Sequence, residues 1–87
     1  MKFLVVIDAL SPFGRAYQDL CPVAKVGTED HVALPCTEID LSNPVYMFVR
    51  TEPTTQGLVY QALHLPHGNV LFVVQYAEGE KPQLGFQ

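Results

Sequence analysis

The sequence predicts a small α+β domain, with a mostly antiparallel sheet of four or five strands and one short N-terminal helix packed on one face. The first observation behind this prediction is composition. A chain of 87 residues, 48% hydrophobic and 16% charged, suits one globular domain over residues 1–87 and excludes a disordered tail. The second is a helix start signal followed by an apolar stripe. The third is a series of short β-branched runs bounded by Pro, Gly or Asn.

Residues 3–10 predict the first strand. The run is too short for a helix, it is rich in β-branched residues, and Ser11 and Pro12 end it. From Phe3 to Ile7 it contains no polar side chain. We therefore expect both faces of this strand to be buried and the strand to lie in the middle of the sheet.

The next segment predicts a helix over residues 12–21. Ser11 suits the N-cap, and Pro12 suits the first helical position, where a missing N–H costs nothing. Gly14 lowers the helical propensity by roughly 1 kcal/mol relative to Ala, and Pro22 ends the helix. The apolar stripe, at spacings of three and four, consists of Phe13, Ala16, Tyr17 and Leu20.

Residues 22–44 are the least regular part of the sequence. Proline and glycine interrupt them, and a short strand is expected around His31–Leu34. Pro35 confines any longer strand here to an edge of the sheet, because proline has no N–H to donate to a neighbouring strand. Asn43 and Pro44 predict a turn.

The second half of the chain predicts three more strands. Each run is apolar or alternating and ends at Pro, Gly or Asn; the runs are residues 45–51, 58–65 and 70–76. The four-residue loop at 66–69 contains Gly68, which predicts that the last two strands form a hairpin. Tyr60 and Tyr76 are then candidate cross-strand neighbours.

The predicted sheet has more apolar surface than one short helix can cover. The runs 3–10 and 70–76 are apolar on both faces, which places the strand at 70–76 in the interior of the sheet. Either the irregular segment 22–44 folds over the second face, or another chain covers it. The second alternative predicts a homodimer or a partner-binding face, because large exposed apolar patches usually mark interaction sites. Leu84 and Phe86 are candidates to pack back from the polar tail.

The balance of charge argues against nucleic-acid binding. The chain carries 5 Lys and Arg against 9 Asp and Glu, a formal net charge of −4. The basic residues are scattered singly and form no stripe that would neutralise phosphates, so no direct nucleic-acid partner is expected. Residues 26–49 contain acids but no Lys or Arg, which is typical either of a solvated face or of an acidic patch that steers a basic partner. These acids are Glu29, Asp30, Glu38 and Asp40.

No segment of the sequence predicts a membrane partner or a secretion signal. The first apolar run ends at Asp8, short of the roughly 7–15 residues of a signal-peptide core, and no run approaches the ~18 residues of a membrane helix. Two cysteines, Cys21 and Cys36, are fewer than a secreted domain of this size would use. This favours a cytoplasmic protein with two unbridged thiols, although the sequence leaves a single bridge open.

An enzymatic alternative is a small metal-dependent hydrolase or nuclease. Asp8 ends a hydrophobic strand, where such enzymes often hold a carboxylate, and Asp40 is the second candidate. His64 and His67 are spaced to chelate a metal across a turn. The spacing of a zinc knuckle is absent, and the simpler interpretation is that both aspartates cap turns.

The leading functional prediction is a non-enzymatic, protein-binding domain with no cofactor, because no dense polar constellation is present. Its contact surface would be an apolar-aromatic sheet face with an acidic rim, bound to another protein or to a second copy of the chain. Small chains of this kind are often accessory or inhibitory factors of phages and mobile elements. A ligand pocket lined by Phe13, Tyr17 and Tyr60 is a third hypothesis. The candidate partner-binding residues are Tyr46, Phe48, Tyr60, Tyr76, Glu29, Asp30, Glu38 and Asp40.

Overall fold

Six β-strands form one sheet in the computed structural model, which describes residues 1–82. The elements in chain order are β1 (Lys2–Ile7), α1 (Pro12–Tyr17), β2 (Val23–Val26), β3 (Glu29–Asp40), β4 (Tyr46–Thr51), β5 (Ala62–Pro66), a 3-10 turn (His67–Asn69) and β6 (Val70–Tyr76). The α+β class and the antiparallel sheet are confirmed. The number of strands is six, whereas the sequence predicts four or five.

The strand order is β5-β4-β3-β1-β6, and β2 also pairs with β3. Val32 of β3 is opposite both Ile7 of β1 and Val23 of β2, so β1 and β2 flank β3 on opposite sides. Further along β3, Cys36 is opposite both Phe3 of β1 and Thr51 of β4. β2 and β4 therefore lie one after the other along the same side of the long strand β3.

The predicted burial and central position of the first strand are confirmed, although β1 ends at Ile7 and the prediction extended it to Leu10. β1 lies between β3 and β6, and Val5, Val6 and Ile7 are all completely buried. Consecutive residues of a strand point to opposite faces, so burial of all three means that both faces of the sheet are covered at this point.

The prediction for β3 is wrong in length and position. The strand runs from Glu29 to Asp40 and is paired on both sides, although it contains Pro35. The carbonyl of Pro35 accepts a hydrogen bond from the Glu52 N–H at 2.9 Å, on the side of β4. The N and C=O groups of one strand residue point the same way, so the missing N–H of Pro35 faces the space between the start of β2 at Val23 and the end of β4 at Thr51. No ladder bond is lost there.

The predicted hairpin between the last two strands is wrong. β5 pairs with β4 and β6 pairs with β1, so the two strands stand at opposite ends of the strand order. β5 is also shorter than predicted, because residues 58–61 lie outside any strand. Consequently Tyr60 and Tyr76 are not cross-strand neighbours, and β6 is not the interior strand that its composition predicts.

The connection between β5 and β6 requires a curled sheet. Five strands lying flat would separate the two end strands by about 19 Å, at about 4.8 Å per spacing. The link from Pro66 to Val70 spans at most about 14 Å even when fully extended. The sheet therefore bends around its inner face. Val70 and Val73 of β6 pack on the inner core, whereas Phe72 packs on the outer face. This explains why the sequence of β6 is apolar on both faces.

The helix closes the inner face of the sheet. Its N-cap is Ser11, as predicted, and the Ser11 Oγ accepts a hydrogen bond from the Gly14 N–H at 3.0 Å. The helix ends at Tyr17, four residues before the predicted end, and the rings of Phe13 and Tyr17 stack with centroids 4.3 Å apart. Both rings and Leu20 pack on the inner core, which consists of Val5, Ile7, Cys21, Val32, Leu34, Cys36, Met47, Val49, Leu58 and Leu65.

A smaller apolar cluster lies on the outer face. Val6, Ala24 and Ala33 are buried there, and Leu4, Val26 and Phe72 pack around them. All six belong to β1, β2, β3 and β6, whereas the helix contributes to the inner core. The segment 22–44 thus supplies two strands of the sheet and is not a layer over its second face. The predicted docking of Leu84 and Phe86 lies outside the described residues.

Candidate protein-binding surface

The outer side of β4 presents three large side chains. Met47, Val49 and Thr51 are buried and lie on the inner side of the sheet. Because side chains alternate along a strand, Tyr46, Phe48 and Arg50 point outward. The sequence pattern of residues 45–51 predicts this strand, and the start and end of β4 confirm it within one residue.

Phe48 contacts His64 of β5 and Arg50 of its own strand, and we call the surface formed by these three residues and the neighbouring Tyr46 the aromatic patch (Tyr46, Phe48, Arg50 and His64). His64 is opposite Phe48 in the β4–β5 register, and the two rings meet edge to face with centroids 5.3 Å apart. The Arg50 guanidinium carbon lies 5.4 Å from the centre of the Phe48 ring, within the range of a cation–π contact. Tyr46 remains 45% exposed at the end of the row.

Two of the predicted acidic residues border the aromatic patch on β3. Glu38 is opposite Arg50, and its carboxylate Oε2 lies 3.5 Å from Arg50 Nε. Asp40 is opposite Phe48, and its Oδ1 accepts a hydrogen bond from the Ser42 N–H at 2.8 Å. Hydrogen bonding from Ser42 lowers the pKa of the Asp40 carboxyl, so this residue is ionised at neutral pH.

The other two predicted acids lie at the opposite end of β3. Glu29 and Asp30 begin the 12-residue strand, and Asp40 is its last residue. Asp30 is opposite Lys25 of β2, and its Oδ1 lies 3.4 Å from the Lys25 ammonium nitrogen. The four acids therefore form two separate groups, and only Glu38 and Asp40 adjoin the aromatic patch.

The remaining candidate tyrosines are apart from the aromatic patch. Tyr60 is 59% exposed in the loop before β5. Tyr76 is opposite Lys2 at the end of β6, and burial together with the nearby Glu52 carboxylate raises its pKa. Of the predicted aromatic anchors, the structure brings together Tyr46 and Phe48 and leaves Tyr60 and Tyr76 elsewhere.

The residues of the predicted metal site are not brought together. Asp8 Oδ1 accepts a hydrogen bond from the Leu10 N–H at 2.9 Å, at the end of β1. The His67 Nε2 lies 2.9 Å from the Asn43 carbonyl oxygen, and His64 contacts Phe48. Within residues 1–82 no group of three or more His, Cys, Asp or Glu side chains is placed to hold a metal ion. Asp8 and Asp40 both cap turns, as the simpler interpretation predicts.

The two cysteines are buried and unbridged. Burial raises the pKa of Cys21 to about 11 and that of Cys36 to about 12, and the proximity of Cys21 contributes at Cys36. Their thiols therefore stay protonated at neutral pH, which makes them weak nucleophiles. Phe13 and Tyr17, two of the residues of the hypothetical ligand pocket, stack on each other and pack against the inner core.

The sequence analysis does not assign Arg50 and His64 to the aromatic patch. The period-two pattern places His64 on the outward side of its strand, but the register that sets it opposite Phe48 depends on pairing between β4 and β5. Arg50 is a lone basic residue in the sequence, and its contacts with Phe48 and Glu38 appear only when β3 and β4 are paired.

Comparisons with known proteins identify no relative, since no family model, no curated protein and no solved structure matches this chain. Within the described residues, no helix has the length and apolar character needed to cross a membrane.

Proposed function

We propose that this chain is a non-enzymatic protein-binding domain and that the aromatic patch is its contact surface. One observation carries the proposal: Tyr46, Phe48 and Arg50 stand in a row on the outer side of the sheet, while the helix packs on the inner side. Tyrosine and arginine are among the residues that most often dominate the binding energy of protein interfaces.

The contacts within the aromatic patch reduce the cost of binding. Phe48 contacts both the His64 ring and the Arg50 guanidinium, and Arg50 also forms an ion pair with Glu38. Side chains that are already ordered lose less conformational entropy when a partner docks. The aromatic patch is in this respect preorganised for binding.

The charges at the border favour a different protein over a second copy of the chain. Glu38 and Asp40 outnumber the one cationic side chain, Arg50, and the whole chain carries a net charge of −4. A symmetric dimer through this surface would place the acids of both copies close together, because the same patch faces itself across a two-fold axis. A partner with basic residues around an apolar centre meets the aromatic patch without this repulsion.

The geometry of the aromatic patch is less suited to acid–base catalysis. Asp40 and His64 lie on opposite sides of Phe48, on the strands flanking β4, and are therefore about 10 Å apart. A proton cannot pass directly over that distance, since general acid–base groups work at hydrogen-bonding range. The proposed role is that of an accessory or inhibitor-like factor, which acts by occupying a surface of its partner.

Affinity capture followed by binding measurements on purified partner tests the proposal. The informative variant is Tyr46→Ala, and the matched control is Tyr60→Ala, which removes a somewhat more exposed tyrosine outside the aromatic patch. We expect Tyr46→Ala to weaken binding about 30-fold and Tyr60→Ala to change it less than about twofold. Equal effects of the two substitutions would show that the aromatic patch is not the contact surface.

Sedimentation of the isolated chain across a range of concentrations tests the choice of partner. We expect a monomer at micromolar concentrations, because the acidic borders of two patches repel each other. A dimer that Tyr46→Ala dissociates would overturn the choice of a different protein and assign the surface to self-association.

A further inference from the structure

A second concave surface lies at the other end of β3, and we call it the outer groove. Four apolar side chains line it, those of Leu10, Val26, Leu71 and Phe72, and its volume is about 410 Å³. Leu10 and Leu71 are 73% and 44% exposed, which is high for leucines of a small folded chain. This surface is separate from the aromatic patch and does not depend on it.

Two acidic residues line the outer groove together with the apolar side chains. Asp8 and Glu29 both line it, and the His31 ring lies between them, with Nδ1 3.9 Å from the Asp8 carboxylate and Nε2 3.9 Å from the Glu29 carboxylate. The side chain of His31 is only 11% exposed. The carboxylates of Asp8 and Glu29 therefore lie on either side of the nearly buried His31 ring.

The described residues that line the outer groove include no lysine or arginine. His31 Nδ1 accepts a hydrogen bond from the Ala9 N–H at 3.1 Å, so the proton of the neutral ring is on Nε2. The nearest cation along β2, Lys25, lies 3.4 Å from Asp30, whose side chain leaves β3 on the opposite side from Glu29. The carboxylates of Asp8 and Glu29 are thus not neutralised by a lysine or arginine of the groove.

We propose that the outer groove binds a lysine or arginine side chain that a partner protein presents between apolar residues. The apolar walls match the flanking residues and the aliphatic stem of the basic side chain. The two carboxylates match its charge. A neutral or acidic segment of the partner would leave both carboxylates without a counter-charge. Charge complementarity therefore favours a segment that carries a lysine or arginine.

Titration of the ¹⁵N-labelled chain with a short peptide tests this proposal. The probe is acetyl-Ala-Leu-Lys-Leu-Ala-amide, and the matched probe carries Gln in place of Lys. We expect the lysine peptide to shift the amide signals of Leu10, Glu29 and Leu71, and to bind about fivefold more tightly than the glutamine peptide at low salt. Equal binding of the two peptides, or shifts outside the outer groove, would overturn the proposal.

Charge variants of the chain provide a second test of the proposal. Asp8→Asn combined with Glu29→Gln removes both charges, and Asn at position 8 retains an oxygen that accepts the Leu10 N–H. We expect about fivefold weaker binding of the lysine peptide and no change for the glutamine peptide. Asp30→Asn is the control, because it removes a neighbouring charge that faces away from the groove. If Asp30→Asn weakens binding of the lysine peptide as much as the double variant does, binding depends on the net charge of the chain. The outer groove is then not the binding site.

Discussion

Gly14 lies directly against the backbone of Asp8. A Cβ atom added at Gly14 would stand 2.1 Å from the Asp8 carbonyl oxygen, far inside van der Waals contact. The same carbonyl accepts hydrogen bonds from the Ser11 N–H and the Ser11 hydroxyl. The first turn of α1 therefore docks on the end of β1 through backbone atoms, and glycine is the residue that permits this approach.

We expect Gly14→Ala to destabilise the fold by about 3 kcal/mol, although alanine is the better helix former. The added methyl group meets backbone, which cannot rotate away as a side chain would. Gly68→Ala is the control, since a Cβ there meets nothing within 4 Å. Urea denaturation of both variants measures the difference. A Gly14→Ala variant as stable as the wild type would contradict the close approach.

The Ser11 cap predicts a second stability effect. The Ser11 side chain accepts a hydrogen bond from the Gly14 N–H at 3.0 Å and donates one to the Asp8 carbonyl at 2.6 Å, in a buried position. Ser11→Ala leaves a helical N–H without its partner, and we expect a loss of about 1–2 kcal/mol. Ser42→Ala, at an exposed turn, should cost less than about 0.5 kcal/mol. Thermal unfolding followed by circular dichroism compares the two, and equal midpoints would refute the capping role.

Thr51 ties β4 to the segment before β5. Its buried hydroxyl donates to the Val59 carbonyl at 2.8 Å and accepts from the Gln61 N–H at 3.1 Å. We expect Thr51→Val, which keeps the shape but removes both bonds, to cost about 1–3 kcal/mol. Thr55→Val changes an exposed threonine and serves as the control. Hydrogen exchange at Gln61 adds a local readout, and unchanged protection there would argue against the role of the hydroxyl.

The buried cysteines predict a loss of stability at alkaline pH. The pKa values of Cys21 and Cys36 are raised to about 11 and about 12 in the folded chain, from an ordinary value of 9.0. Between pH 9 and about pH 11 the unfolded chain therefore releases thiol protons that the folded chain retains. Unfolding becomes easier as pH rises through this range, whereas well below pH 9 the thiols are protonated in both states and contribute no pH dependence.

Denaturation midpoints at pH 8 and pH 10 measure this effect. We expect a lower midpoint at pH 10, and a smaller decrease in the Cys21→Ala, Cys36→Ala double variant, which has fewer groups to titrate. The same burial should keep both thiols unreactive toward Ellman's reagent until the chain unfolds. Rapid labelling of the native chain at neutral pH would show that the thiols are accessible.

Several elements follow from local sequence patterns. Ser11 and Pro12 determine where α1 begins, and the structure confirms that start. The alternation in β4 and β5 places Leu63 and Leu65 toward the core and His64 outward, as the period of two predicts. The polar side chains of Asp8, Asp40 and Asn43 cap turns next to themselves in the chain, so their role is decided within three residues.

The errors concern pairing between distant segments. The short link at 66–69 predicts a hairpin, yet β6 pairs with β1, some 65 residues earlier in the chain. An apolar run such as residues 70–76 is compatible with an interior strand or with the end strand of a curled sheet, because in both cases apolar side chains pack on each of its two faces. Pro35 likewise excludes a ladder bond at one position, and only the placement of β2 and β4 shows that none is needed there.

The helix start, the approximate positions of β1, β4 and β6 and the turn at Asn43 can be predicted from the amino-acid pattern, because each depends on contacts within a few residues. Strand pairing and the curl of the sheet appear only in the folded chain. The same holds for the two surfaces, one formed by Tyr46, Phe48, Arg50 and His64 and the other lined by Asp8 and Glu29. Strand order and register are set by burying the apolar faces of distant segments against each other, and a local pattern does not specify which segments meet.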